Sequence, residues 1–152
     1  MKLIPLQQWV CDRCGEIIQK SSDGKLEWLD ERVNSESHPG NLLKFFSIIH
    51  NRSASYKNRC SRAKGSMIFL DEDLDYLIGP DGLAELLLFY RDVEDPSEVN
   101  EIVRRLHIPY YEEARLYRKA AIADGYMEES SATYFHQQAS IKRLIEKYSD
   151  QE

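Results

Sequence analysis

The sequence predicts an α+β fold, in which a small β-rich N-terminal part packs against a C-terminal part of four or five helices. Three observations predict this class. Short apolar runs of strand length alternate with turn signals in residues 1–70, and two cysteines lie three positions apart among them. From residue 71 onward, apolar side chains recur at helical spacing. We therefore expect two domains, at 1–70 and 71–152.

The composition is that of a soluble globular protein. Hydrophobic residues make up 42% of the chain and charged residues 30%, which argues against disorder. No apolar run approaches the roughly 20 residues that a membrane-spanning helix needs. The first nine residues are too few and too polar for a secretory signal. We expect a cytoplasmic protein, where closely spaced cysteines indicate metal or redox chemistry rather than disulfides.

Charge is unevenly distributed along the chain. The net charge is -6, but residues 1–70 hold 11 Lys and Arg against 7 Asp and Glu, whereas residues 71–152 hold 9 against 19. Residues 37–70 contain no acidic residue at all. Such asymmetry indicates either an anionic partner for the first part or docking of one part on the other.

The N-terminal part has four segments with the composition of strands. The first two flank the cysteine turn, the third alternates polar and apolar residues, and the fourth is a β-branched and aromatic run that ends at His50. The predicted strands are residues 7–10, 16–19, 25–29 and 42–50. Residues 30–40 are polar and close with Pro-Gly, so they are predicted to be a loop, as are residues 51–66.

The cysteines and one histidine form the strongest chemical pattern. Cys11 and Cys14 lie on a tight turn, and Gly15 supplies the positive φ that lets backbone amides approach the sulfurs. His50 lies at a strand end, and Cys60 follows it in a loop. Three thiolates and a neutral imidazole complete a tetrahedron around zinc with no open position. The predicted ligands of one structural Zn2+ are Cys11, Cys14, His50 and Cys60.

Other interpretations of these residues remain open. His38 is the alternative fourth ligand. The cysteine pair could also be two small buried hydrophobic residues, or a redox-active thiol pair. The segment after Gly15 looks extended, whereas a reactive thiolate usually lies at the start of a helix.

The Cys11-x2-Cys14-Gly15 turn resembles the knuckle of zinc ribbons. The resemblance covers about residues 9–18, together with His50 and Cys60, and it implies a structural metal but no particular function. The second pair departs from the zinc-ribbon pattern, because it is His-x9-Cys rather than a second Cys-x2-Cys.

The C-terminal part is predicted to be helical, with capping residues at several helix ends. Acidic residues 71–75 are interpreted as a solvated helix start. Asp95 and Pro96 begin a helix, and Gly125 ends a later one. The predicted helices are residues 74–78, 82–91, 96–107, 109–123 and 137–148.

Residues 96–127 weakly resemble a winged helix-turn-helix. In that interpretation 110–123 is the recognition helix, which would present Arg115, Arg118 and Lys119 to nucleic acid. Glu112 and Glu113 would repel phosphates at the helix start, which favours a helical packing module instead.

A basic segment at residues 52–64 is the other candidate nucleic-acid surface. Its cations surround Tyr56 and would contact phosphates while the ring stacks on a base. They are Arg52, Lys57, Arg59, Arg62 and Lys64. The alternatives are a solvated loop and a loop paired with the acidic C-terminal part.

No sequence motif indicates catalysis. The chain lacks a G-x-S-x-G elbow, a phosphate-binding glycine loop and an H-E-x-x-H pair. The sequence favours a small non-enzymatic zinc-binding protein that acts as a protein-interaction or regulatory module. The alternative is a nucleic-acid-binding transcriptional regulator, and a zinc-dependent hydrolase is a more distant one. Another protein is the expected partner, a membrane is not expected, and the oligomeric state stays open.

Overall fold

The computed structural model describes residues 1–34, 36–51, 60–62, 67–128 and 135–151. Strands lie in the N-terminal half and helices in the C-terminal half, so the predicted α+β class is confirmed. The strands are β1 (Trp9–Val10), β2 (Ile17–Ile18), β3 (Gly24–Asn34), β4 (Pro39–His50) and β5 (Phe69–Asp73). The α-helices are α1 (Gly79–Leu88), α2 (Pro96–His107), α3 (Tyr111–Ala123) and α4 (Gln138–Tyr148).

The strands form two antiparallel sheets. β1 pairs with β2, with Trp9 opposite Ile18. The larger sheet has the order β4-β3-β5, and its β3–β4 ladder runs from the Gly24–His50 pair to the Asn34–Pro39 pair. The ladder therefore brings the end of β4 back to the start of β3, close to the cysteine turn.

The prediction of a loop at residues 30–40 is wrong. β3 continues to Asn34 and β4 begins at Pro39, so most of this stretch is a β-hairpin. Polar side chains are compatible with strands here because the hairpin end is largely solvated, and Lys44 forms an ion pair with Glu31 across it. Hydrophobic patterning cannot detect the part of a strand that has no buried face.

The acidic residues 71–73 were also predicted incorrectly. They belong to the edge strand β5 rather than to a helix start, and a 3-10 turn, Leu74–Tyr76, follows them. β5 pairs with β3 from Lys25–Asp73 to Leu29–Phe69, and Lys25 donates to Asp71 at 3.0 Å. Charged side chains are typical of edge strands, where they discourage pairing with other chains.

Within the described ranges, two hydrophobic clusters form the core. The first cluster contains residues from both halves of the sequence. Strand residues, among them Trp9, Ile18 and Ile48, pack there with Leu86 of α1 and Leu106 of α2. The second lies between α3 and α4. The predicted domain boundary at residues 70 and 71 stays a prediction, and β5 runs across it.

Both ends of α2 and the C-terminal end of α3 are as predicted, whereas α3 begins at Tyr111 rather than at residue 109. Asp95 caps α2 by accepting a hydrogen bond from the Ser97 amide at 3.0 Å, and Gly125 has a φ of +68° just after α3. Tyr111 is buried, whereas Tyr110 precedes the helix with a positive φ and is exposed.

Candidate metal centre

Four predicted ligands converge from three parts of the fold. Cys11 and Cys14 lie on the turn between β1 and β2, His50 is the last residue of β4, and Cys60 belongs to the described segment 60–62. Their ligand atoms all lie within 4.8 Å of one another. The four side chains are therefore positioned to bind one metal ion.

The cysteine turn is held by its own backbone. The Cys11 amide donates to Glu16 O at 2.9 Å, and the Gly15 amide donates to Cys11 O at 3.0 Å. Gly15 has a φ of +75°, and no heavy atom lies within 4 Å of the place where a Cβ would be. The glycine is thus required by the backbone conformation rather than by space.

Distances around His50 are close to those of a tetrahedral centre. Nδ1 of His50 lies 3.5 Å from Cys14 Sγ and 4.0 Å from Cys60 Sγ. Around a tetrahedral zinc, neighbouring ligand atoms are roughly 3.5 to 3.8 Å apart. On the other side of the ring, Nε2 lies 3.4 Å from Ile17 O. A proton on Nε2 would donate to that carbonyl and leave the Nδ1 lone pair for a metal.

The thiols of Cys11 and Cys14 have pKa values shifted in opposite directions. Burial alone would raise the pKa of Cys11, but backbone amides of Cys14, Arg13 and His50 stabilise its thiolate and lower the pKa to about 7. Burial and the neighbouring Cys11 raise the pKa of Cys14. A second thiolate beside the first is therefore unfavourable without a cation, and a divalent metal would remove the repulsion.

Burial and the number of ligands favour a structural centre. Cys11 and Cys60 are buried, Cys14 and His50 are partly buried, and Trp9 and Ile18 pack in the same core. Four protein ligands would fill a tetrahedral coordination shell. A catalytic zinc keeps one position for water or substrate.

Glu27 of β3 positions the segment that carries Cys60. Its carboxylate is only 1% exposed, accepts a hydrogen bond from the Ser61 hydroxyl, and accepts another from the Arg62 amide at 3.0 Å. The Arg62 guanidinium lies 5.2 Å from the Phe69 ring and donates to Phe45 O. Cys60 is thus attached to the sheet through its two following residues.

A buried arginine holds the other side of the knuckle. Arg105 of α2 is 4% exposed and donates to both oxygens of Asp12, at 2.8 and 3.0 Å. It also donates to both oxygens of Glu112, at 2.8 and 2.9 Å, and to Val10 O at 3.0 Å. Asp12 lies between the two cysteines, and its Oδ2 accepts from the Ile48 amide at 2.7 Å. Helix α2 is therefore joined directly to the metal-binding turn.

Glu112 completes this network from α3. Its carboxylate accepts from Arg105, from Arg115 at 2.8 Å, and from the Val10 amide at 2.9 Å. Burial alone would raise the pKa of Glu112, but the two arginines lower it to about 2. Burial would lower the pKa of Arg105, but the charges of Glu112 and Asp12 outweigh it and raise this pKa. Both groups stay charged at neutral pH.

Asp12, Glu27, Arg105 and Glu112 were missed as positioning residues. One local signal was present for Arg105, because it follows Ile102 by three positions on the apolar face of α2. Asp12 lies between two ligands, which was also a signal. Glu27 alternates with apolar neighbours in β3, so its burial could not be read from the pattern.

The other predicted site residues that the structure describes do not join the four ligands. His38 Nε2 lies 3.1 Å from Asn41 O and is outside the cluster. Arg115 contacts Glu112 and lies 3.5 Å from Asp12, Arg118 lies over the Phe135 ring at 5.7 Å, and Lys119 is exposed. Four predicted nucleic-acid contacts lie outside the described residues: Arg52, Lys57, Arg59 and Lys64.

Comparisons with protein families, curated proteins and solved structures give no match. The resemblances to zinc ribbons and to a winged helix-turn-helix are thus not confirmed by them. In the described part of the chain, no helix has both the length and the apolar character that crossing a bilayer requires.

Proposed function

We propose that this chain is a non-enzymatic zinc-binding protein that acts as a protein-interaction module. One structural zinc ion would be bound by Cys11, Cys14, His50 and Cys60. The observation that carries the proposal is the convergence of these four ligand atoms within 4.8 Å. Zinc suits the set because thiolate and imidazole are its preferred ligands in closed tetrahedral sites.

The role of the metal would be to stabilise a surface rather than to perform chemistry. A filled coordination shell offers no position for a substrate. The ligands lie on the β1–β2 turn, at the end of β4 and in the segment at Cys60, so one metal ion would link three parts of the fold. Three closely spaced thiols also support a cytoplasmic location, where reducing conditions maintain them.

Metal content is the first test. We expect about one zinc per purified chain, as a closed Cys3His set requires. Cys14→Ser should lose the metal and unfold the N-terminal part, because ligand loss removes the binding free energy that folding depends on. Arg13→Ser is the matched control, since Arg13 is exposed on the same turn. A folded, reduced protein without metal would contradict the zinc proposal.

The interaction role needs its own test. Large apolar side chains are exposed at several positions, including Leu70, Tyr76, Leu87 and Leu88. Exposed apolar patches often mark contact surfaces. Zinc-loaded protein should retain an identified protein partner in affinity purification, and the Cys14→Ser variant should not. Failure to retain any partner would contradict the interaction role while leaving the zinc centre in place.

A nucleic-acid-binding regulator is the second candidate. It is favoured by the acid-free stretch 37–70, which carries six Lys and Arg residues. Replacing Arg52, Lys57, Arg59 and Lys64 with Glu should abolish salt-dependent binding to DNA or RNA. Arg62 is left unchanged in this variant because it packs on Phe69. Absence of binding by the natural chain at about 50 mM salt would exclude this candidate.

A further inference from the structure

A groove of about 740 Å³ lies on the side of the sheet covered by α1. Its floor comes from β3 and β4 and from the residues that flank α1. One wall is α1, and the other is formed by β5 and the 3-10 turn after it. Its lining includes Trp28, Glu72, Tyr76, Asp81, Glu85 and Leu88.

The floor of the groove is aromatic and rigid. Trp28 and Phe89 meet edge to face at 4.8 Å between ring centroids, and Phe46 packs against both rings. Trp28 is 8% exposed, and its indole N–H has no hydrogen-bond partner among the described residues. A buried donor without a partner is unfavourable.

The wall formed by α1 is placed by close packing. A Cβ at Gly82 would lie only 2.1 Å from the Leu77 carbonyl carbon. Only glycine therefore permits this close approach of the helix to the Leu77 backbone. A neighbouring flank of α1 carries Asp81, Glu85 and Leu88, at the spacing of successive helical turns. These three side chains therefore project along one edge of the groove.

The charge of the groove has a single sign. Four of its ten lining residues are acidic, and none is Lys or Arg. Asp92 lies near Arg91 and His38. Among the described residues, no Lys or Arg lies within ion-pair distance of Glu72, Asp81 or Glu85. Three carboxylates thus remain available to an incoming cation.

Exposed apolar surface lies directly beside these carboxylates. Leu88 is 68% exposed and Tyr76 is 66% exposed, and both line the groove. A ligand that matched both features would carry cationic groups next to apolar ones. Peptide segments that lay an apolar face into a groove and place charges at its rim have this character.

We infer that this groove binds a cationic, amphipathic segment of a partner protein. Lysine or arginine side chains of the segment meet Glu72, Asp81 and Glu85, while its apolar side chains cover Leu88 and Tyr76. This inference rests on the proposed interaction role and names its surface and the chemistry of its partner. Nucleic acid and anionic membranes are repelled by the same carboxylates.

Peptide binding to the zinc-loaded protein tests the inference. The probe is a fluorescein-labelled peptide of about 12 residues in which lysines and leucines form an amphipathic helix. We expect binding that weakens between about 50 and 200 mM salt, as charge attraction predicts. A peptide of the same length with glutamate in place of lysine should not bind. Failure of the lysine peptide to bind the natural chain would overturn the inference.

Two pairs of variants locate the binding site. Leu88→Ala should weaken peptide binding about tenfold, whereas Leu87→Ala, an exposed neighbour outside the groove, should not. Glu85→Lys should weaken peptide binding by a similar factor. Glu146→Lys makes the same charge change on the exposed face of α4 and should not weaken it. Equal losses within either pair would show non-specific attraction and overturn the inference.

Two further measurements separate the remaining outcomes. Self-association of the natural chain that Glu85→Lys abolishes would make a second copy the occupant, and would overturn the inference. Zinc content is measured on the same samples, so a zinc-free folded protein contradicts the zinc proposal independently of the peptide result. The last outcome is an identified partner that binds the Leu88→Ala and Glu85→Lys variants with the same affinity as the natural chain. That result would support the interaction role and overturn the inference that the groove is the binding site.

Discussion

The β1–β2 turn is fixed to the rest of the protein by two different crosslinks. On one side, Cys11 and Cys14 meet His50 and Cys60 in the ligand cluster. On the other side, Asp12 between these cysteines meets Arg105 of α2. The first crosslink would depend on a metal, whereas the second consists of charge-assisted hydrogen bonds within the chain. The comparison shows how a turn of few residues can be held without a large core of its own.

The two crosslinks should differ most in their contribution to stability. Structural zinc sites contribute about 10 kcal/mol or more of apparent binding free energy, whereas breaking a buried ion pair costs about 3 to 5 kcal/mol. The metal is therefore expected to dominate the folding of the turn. The arginine network is expected to determine where the folded turn sits on α2 and α3.

Removal of the metal should have the largest effect. After chelation, the free energy of unfolding should fall by several kcal/mol, because the thiols lose their common partner. Amide exchange should accelerate in β1, in β2 and at the end of β4. The second core, between α3 and α4, contains none of the ligands and should lose less protection. Uniform loss of protection, or none, in hydrogen-exchange mass spectrometry would contradict this division.

Truncation of Arg105 should have the next largest effect. Arg105→Ala leaves the buried carboxylate of Glu112 without its main partner, so we expect a loss of about 3 to 5 kcal/mol in urea unfolding. Arg104→Ala is the control, since the Arg104 side chain is partly exposed and its Nη1 lies 3.9 Å from Glu101 Oε2. That change should cost less than about 1 kcal/mol. Equal losses would show that the network does not stabilise the fold.

These two crosslinks also show which features a sequence can reveal. The Cys11-x2-Cys14 pair and the capping of α2 by Asp95 are local, so spacing alone predicts them. The β-branched run that ends at His50 predicted the third ligand in the same way. Asp12 and Arg105 are 93 positions apart, and no periodic pattern relates them. Long-range polar pairs depend on the finished fold and therefore escape such reasoning.

The hairpin at the ends of β3 and β4 was missed for a related reason. Its side chains are mostly polar and solvated, so hydrophobic alternation is weak there. The backbone ladder, including the Arg32–Asn41 pair, specifies the strands instead. β5 was missed because its acidic residues resemble a helix start, although they pair with β3.

Acid should weaken the arginine network by a predictable amount. The folded-state pKa of Glu112 is lowered to about 2, below its ordinary value of 4.5. A carboxylate with a depressed folded pKa stabilises the protein fully above the unfolded pKa, and this contribution is lost as pH falls through the folded pKa. The contribution is at most of the order of 3 kcal/mol and should disappear between about pH 4.5 and pH 2.

The Glu112→Gln variant isolates that contribution. Acid also protonates the thiols, but it does so in both proteins, so the difference between them reports Glu112. In urea unfolding, the stability difference between the natural chain and Glu112→Gln should be constant near neutral pH and should shrink below about pH 4.5. A difference that did not change with pH would show that Glu112 is not held ionised by Arg105 and Arg115.

The smallest expected effect concerns the segment that carries Cys60. Glu27 holds the Ser61 hydroxyl and the Arg62 amide, so Glu27→Gln should loosen the segment that carries Cys60. Residues that orient metal ligands typically change affinity by about 10- to 100-fold, and we expect a loss in that range in competition with a zinc chelator. Glu31→Gln lies in the same strand, is exposed, and pairs with Lys44, so it serves as the control. Unchanged affinity in Glu27→Gln would mean that Cys60 is positioned by the metal itself, and that only the knuckle and His50 are arranged before zinc binds.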